Sequence, residues 1–244
     1  MAFEFSVQLY SVRDVLRNDP LSVLQKLKAM GYSGVEGFGS FAYSSDDINY
    51  GLYHAGLKMV GYHTSWSHVQ SDKLEMTIRY FKAIGNKYVI IPSLPEECTS
   101  SIDAWKRTAE KFNEVSKTLT NEGMILGYHN HHSEFIEMEG QIPFTVFFDN
   151  TDPAIVMQMD TGNALHGKAD YMALMRRYPG RARSVHLKPY SRDAGFAPVI
   201  GEDDIDWKEF LSYCHEEGGT EHYIVEYEDE KTHPQLAGVE LCIK

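Results

Sequence analysis

Cysteine is scarce in this chain and never closely paired: Cys98, Cys214 and Cys242 are its three, and no CxxC occurs. That argues against a disulfide framework and a thiolate zinc site, and it leaves the thiols as small apolar residues of packed helices. A reducing cytoplasm is the expected compartment. Basic charge is also in deficit, with 23 Lys and Arg against 35 Asp and Glu and a formal net charge of −12. Affinity for nucleic acid comes largely from Lys and Arg neutralising phosphates, so nucleic acid is not an expected partner. Long apolar runs are missing too. No segment reaches the roughly 18 apolar residues of a membrane span, and MAFEFSVQLYSVRD has no basic stretch leading into an apolar one, so neither a membrane nor a secretion signal is expected. No low-complexity tract or dividing linker appears, and no GxGxxG follows the first apolar run, which removes the main signal for dinucleotide binding.

What the chain has is alternation. Short β-rich runs alternate with amphipathic helical stretches along the whole length, the pattern of βαβ units in a parallel sheet. The strand runs are Phe3 to Leu9, Gly34 to Phe38, Met59 to His63, Tyr88 to Pro92, Met124 to Asn130, Ile155 to Asp160, Ser184 to Leu187 and Tyr223 to Tyr227. Helices are predicted between them. Asp19 and Pro20 form an N-cap with proline at the first helical position, before Leu21, Leu24, Leu27 and Met30 at helical spacing and Gly31 as stop. Further helices are predicted over 45–55, 71–84, 101–122, 143–150, 171–178, 207–217 and 234–243. Eight units of about 30 residues favour closure into one (β/α)₈ TIM barrel over residues 1–244 rather than an open sheet.

Barrel active sites lie at the C-terminal strand ends, and nearly every end here carries a reactive side chain. Gln8, Glu36 and His63 end the first three strands; His129, Asp160, His186 with Lys188, and Glu226 end the last four. Ionisable groups after apolar runs such as AIVMQM are costly inside a barrel unless paired or metal-bound. Four neighbouring strands delivering His, Asp, His and Glu to one rim therefore predict a divalent-metal site of His129, Asp160, His186 and Glu226. Two imidazoles and two carboxylates suit Mn²⁺, Co²⁺, Zn²⁺ or Fe²⁺ better than Mg²⁺. Open positions on such an ion take the oxygens of a hydroxy-ketone and acidify the adjacent C–H. Glu226 is the expected base, with His131 and Lys188 as further proton-transfer groups, and Gln8, Glu36, His63 and Asn163 as expected substrate contacts. No glycine-rich helix start at the seventh or eighth strand demands a phosphorylated substrate.

These segments resemble the sugar phosphate isomerase/epimerase superfamily, the xylose isomerase-like barrels that include inosose dehydratase and type-IV apurinic endonucleases. The resemblance runs through QLYSVRD, MGYSGVEGFG, GLKMVGYH, GYHNHHSEF, MDTGN, VHLKPY, IGEDDIDW and YIVEYE. It is strongest to the branch carrying YHNH and VHLK segments and related to inosose dehydratase. The resemblance implies metal ligands at the ends of strands five to eight, commonly Glu, Asp, His and Glu; Asp160, His186 and Glu226 match the last three, and His129 replaces the first Glu. In related ketose epimerases the two glutamates shuttle a proton, so the replacement leaves only Glu226 of that pair. Pro189 also stands where the branch often has an acid. The resulting expectation is a metal-dependent isomerase or epimerase-like enzyme removing a proton α to the carbonyl of a small sugar. A lyase or dehydratase acting on an inosose or 3-keto-glycoside through the same chemistry is the alternative, as is a non-catalytic sugar-binding barrel. A homodimer is compatible with the sequence.

Overall fold

A computed structural model provides the fold, and it describes residues 3–244. Eight parallel strands close into a barrel in sequence order. They are β1 (Phe5–Gln8), β2 (Gly34–Phe38), β3 (Lys58–His63), β4 (Tyr88–Ile91), β5 (Ile125–His129), β6 (Val156–Asp160), β7 (Ser184–Leu187) and β8 (His222–Val225). β8 pairs with β1 to complete the ring. No helix among the described residues is long and apolar enough to cross a membrane.

The helices between strands follow their sequence signals closely. Asp19 accepts a hydrogen bond from Ser22 N at the start of the helix Pro20–Met30, and Gly31 ends it at φ 113°. Ser101 likewise caps the long helix Ile102–Asn121 through Ala104 N. The helix expected from residue 71 begins only at Leu74, because residues 71–73 form a turn after the 3₁₀ segment Trp66–Val69. Several strands are shorter than their apolar runs. β1 stops at Gln8, whose side chain accepts from Tyr10 N and turns the chain into the 3₁₀ segment Leu9–Val12. β8 stops at Val225, yet Glu226 N still donates to Leu187 O at 3.2 Å, which holds Glu226 at the strand end.

Alternation along each strand divides the barrel into two environments. Outward residues such as Val7, Val35, Val89, Leu126, Met157 and Val185 join the helices in the main core. Inside, Tyr88, Ile90 and Val156 form a separate small apolar cluster near the N-terminal end. Above that plug the inward positions turn polar: on β6 they read Val156, Gln158, Asp160 and on β7 Ser184, His186. The barrel interior is thus a dry base carrying a stack of buried polar groups.

Candidate functional site

The four rim residues converge. His129, Asp160, His186 and Glu226 each place one donor atom within 4.8 Å of the others, and all four are buried. His129 Nε2 lies 3.7 Å from Asp160 Oδ2 and His186 Nδ1 4.0 Å from the same oxygen. His186 Nδ1 also meets Glu226 Oε2 at 2.8 Å. β6 and the helix after it place Asp160: its Oδ1 accepts from Asn163 N at 2.7 Å as the cap of Thr161–His166. Asn130 clamps the Asp160 backbone, accepting from its N–H and donating to its C=O. The other carboxylate oxygen, Oδ2, is buried without a hydrogen-bond partner. A buried acceptor facing two imidazoles and a second carboxylate is the chemistry a divalent cation completes, so the donor set fits a metal.

A second layer lies beneath. Glu36 is wholly buried and accepts from Gln8 Nε2 (2.8 Å), His186 Nε2 (2.6 Å) and Gln158 Nε2 (2.8 Å). Alternation after the outward Val35 turns Glu36 inward, and a register shift in the β2–β3 pairing, which skips Val60, sets Gly61 opposite it. Gly61 leaves room for it: a Cβ there would sit 2.6 Å from Glu36 Oε1. Gln8 and Glu36, expected among the substrate contacts, have no exposed surface: Glu36 faces His186, and Gln8 is held between Glu36 and Tyr10 N. His63 stacks on His186 with ring centroids 5.1 Å apart, and its Nε2 is engaged by Gln158 Oε1 at 2.7 Å and Glu36 Oε2 at 3.1 Å. Asn163 braces the ends of β5 and β6, with Nδ2 3.4 Å from Asn130 O. Gln158 went unread in the sequence, although a polar residue two before Asp160 in an apolar strand was its signal.

Around the mouth, Lys188 is buried, paired with Glu228, and 3.7 Å from Glu226 Oε2. Its ammonium sits 5.3 Å from the centroid of the Phe196 ring. His131 is half-buried, its ring 5.1 Å from that of His129 and its backbone N–H held by Glu134 Oε2 at 2.9 Å. Glu134, also unread in the sequence, accepts from Tyr128 Oη with its other oxygen.

The electrostatics follow from burial opposed by close charges. Burial pulls His186 down, but Glu36 and Glu226 outweigh it and carry its pKa up to about 10. Burial raises Glu226, yet Lys188 and His186 hold it well below the ordinary carboxylate range. Asp160 has less compensation: burial lifts it to about 7 against the pull of Lys188. Burial and the neighbouring His186 and His63 push His129 well down, which keeps it neutral. Burial lowers Lys188, but Glu226, Asp160 and Glu228 together raise it, so it stays an ammonium.

A closed barrel with this polar interior matches one known family over residues 24–241, described as xylose isomerase-like TIM barrel. The chain belongs to that family. An inosose dehydratase from Geobacillus kaustophilus is 25% identical over 208 residues, 76% of this chain and 66% of that enzyme. Another from Clostridium tetani is 25% identical over 57% of this chain and 52% of its own length. The chain therefore spans between about half and two thirds of these relatives. A solved sugar phosphate isomerase/epimerase from Parabacteroides distasonis superposes with a TM-score of 0.83 at 25% identity, covering 98% of this chain and 92% of that one. In this xylose isomerase-like barrel the four-residue cluster is built on the C-terminal ends of β5 to β8.

Proposed function

We propose that this barrel is a divalent-metal-dependent enzyme that removes the proton α to the carbonyl of a small sugar-like ketone and expels a β-hydroxyl as water. The observation that carries the outcome is the 3.7 Å separation of Lys188 Nζ from Glu226 Oε2. A base and an acid lie on one side of the cluster. Epimerisation needs proton transfer on two opposite faces, whereas elimination is served by one base and one neighbouring acid. The inosose dehydratase relatives support the same reading and make a cyclic polyol ketone the first substrate to test.

His129, Asp160, His186 and Glu226 would hold the ion. Once bound, it polarises the carbonyl and acidifies the adjacent C–H. Glu226, ionised at neutral pH, takes the α proton. The C–H electron pair becomes the new C=C bond as the β C–O bond breaks. Lys188 donates a proton to the departing hydroxyl, which leaves as water, and the ketone becomes an enone with no change in redox state. Glu228 holds the ammonium in place, and the buried layer keeps bulk water away from the reacting carbons.

The test is a panel of inososes, ketoses and 3-keto-glycosides in D₂O with Mn²⁺ or Co²⁺, followed by NMR and enone absorbance. Elimination with loss of water is the expected result. Deuterium exchange or epimerisation without water loss assigns the chain to isomerase chemistry instead. A purified protein with no affinity for Mn²⁺, Co²⁺ or Zn²⁺ and no turnover would make it a sugar-binding barrel.

A further inference from the structure

We infer that Gln158 is the positioning residue of the cluster: its side-chain amide sets the tautomer of His129 and, through Glu36, the aim of His186, so that His129 Nε2 turns toward Asp160 Oδ2 and His186 Nδ1 toward Glu226 Oε2. The consequence for metal rests on the reading proposed above; the hydrogen-bond geometry does not.

Gln158 is fully buried in the middle of β6, so its amide makes all its hydrogen bonds within the protein. Its Nε2 lies 2.8 Å from Glu36 Oε1 and 2.9 Å from Ser184 Oγ. An ionised carboxylate only accepts, so the NH₂ group must face Glu36. The carbonyl then faces the imidazoles, 2.7 Å from His63 Nε2 and 3.1 Å from His129 Nδ1. A carbonyl oxygen also only accepts, so both of those nitrogens carry hydrogen. Turning the amide over would set a carbonyl 2.8 Å from a carboxylate oxygen, and Glu36 forbids it.

A neutral His129 with hydrogen on Nδ1 keeps its lone pair on Nε2, the atom 3.7 Å from the unpartnered Asp160 Oδ2. Two acceptors thus confront each other with no hydrogen between them. That is an arrangement a cation relieves and a proton would spoil. The same amide steadies Glu36, whose second oxygen receives His186 Nε2 at 2.6 Å and leaves Nδ1 aimed at the cluster. An apolar residue at 158 would free His129 to carry its proton on Nε2, donate to Asp160 and close the site.

Long-range ¹H–¹⁵N correlation spectra of the metal-free full chain read the tautomer, with His129→Gln assigning the ring signals. In the wild type His129 is expected in the Nδ1–H form, and in Gln158→Met it shifts toward Nε2–H. Co²⁺ titration should then show affinity lower by about 10–100-fold in Gln158→Met, the usual cost of losing a group that orients a ligand. An Nε2–H tautomer in the wild type overturns the inference. So does a folded Gln158→Met that keeps Nδ1–H and binds Co²⁺ within about twofold of wild type. If Gln158→Met does not fold, the wild-type tautomer and the shorter amide of Gln158→Asn decide. A wild type in the Nδ1–H form that binds no Co²⁺ supports the positioning role and sinks the metal reading, so the two failures are distinct.

Discussion

The two ends of the barrel treat buried charge in opposite ways. At the N-terminal end, Arg181 is buried yet satisfied: it donates to the carbonyls of Ile155 (3.1 Å), Phe148 (2.9 Å) and Asp152 (3.1 Å) and to Thr151 Oγ1 (2.7 Å). At the exposed edge of the same end, Glu221 accepts from Tyr88 Oη at 2.6 Å and from Arg183 Nε at 2.8 Å. At the C-terminal end, His129, Asp160, His186 and Glu226 crowd together and leave Asp160 Oδ2 without a partner. At one end the buried charge is fully hydrogen-bonded by the protein; at the other a buried carboxylate oxygen is not. The difference follows from the barrel, whose strands rise from an apolar base to a rim where loops admit substrate.

Asp160→Asn attacks the comparison hardest. It removes the orphaned oxygen and keeps the cap to Asn163 N, so Co²⁺ affinity should fall by more than about 100-fold, beyond the range seen for supporting groups. The metal-free melting temperature should hold or rise, because a buried unpaired charge is relieved. Calorimetric titration and thermal melts check both, and a lower metal-free Tm would break the contrast. Glu36→Gln comes next. The amide cannot accept the His186 Nε2 hydrogen as strongly, and metal affinity should drop by about 10–100-fold.

Arg181→Met is the counterpart at the closed end. Losing its donors strands buried carbonyls at a cost of about 2–3 kcal/mol, or about 5–10 °C in Tm for a chain of this size, while Co²⁺ affinity stays within about twofold. A matching loss of affinity would show that the two ends are not separable. The smallest effect is expected at Glu221. Burial raises its pKa, but Tyr88 and Arg183 outweigh that and lower it from the ordinary 4.5. A lowered carboxylate stabilises fully above its unfolded value and loses that contribution as pH falls through its folded one. Glu221→Gln should therefore flatten the acid side of the stability–pH curve slightly below pH 4.5 and leave neutral pH nearly unchanged, because the pair is well exposed.

Much of the site was legible in the chain, for a physical reason. Side chains alternate along a strand, so a polar residue ending an apolar run reports its own position at the rim; His129, Asp160, His186 and Glu226 were readable this way. Lys188, two residues past His186, was readable as sharing its face; its approach to Glu226 Oε2 at 3.7 Å was not. The height of Gln8 and Glu36 was not readable. Gln8 ends β1, but Glu36 is the middle residue of β2, two before its end at Phe38, and the space left by Gly61 seats it against His186 Nε2. Gln158 was missed because a buried amide carries no charge to betray its partners. The preference proposed above for elimination over the expected isomerase chemistry rests on the closeness of Lys188 Nζ to Glu226 Oε2, which depends on how two strand ends meet.

By itself the sequence determined the eight βα units, their order and which residues of each strand face inward, because periodicity and capping are local properties of the chain. The tertiary structure alone decided who meets whom. Strands in a barrel are tilted and staggered, so residues at equivalent strand ends sit at different heights: Asp160 pairs across from His186, while His129 pairs across from Gln158. That stagger separates the cluster of four, with its one unpartnered oxygen on Asp160, from the layer of Glu36 and Gln158 that contacts its imidazoles.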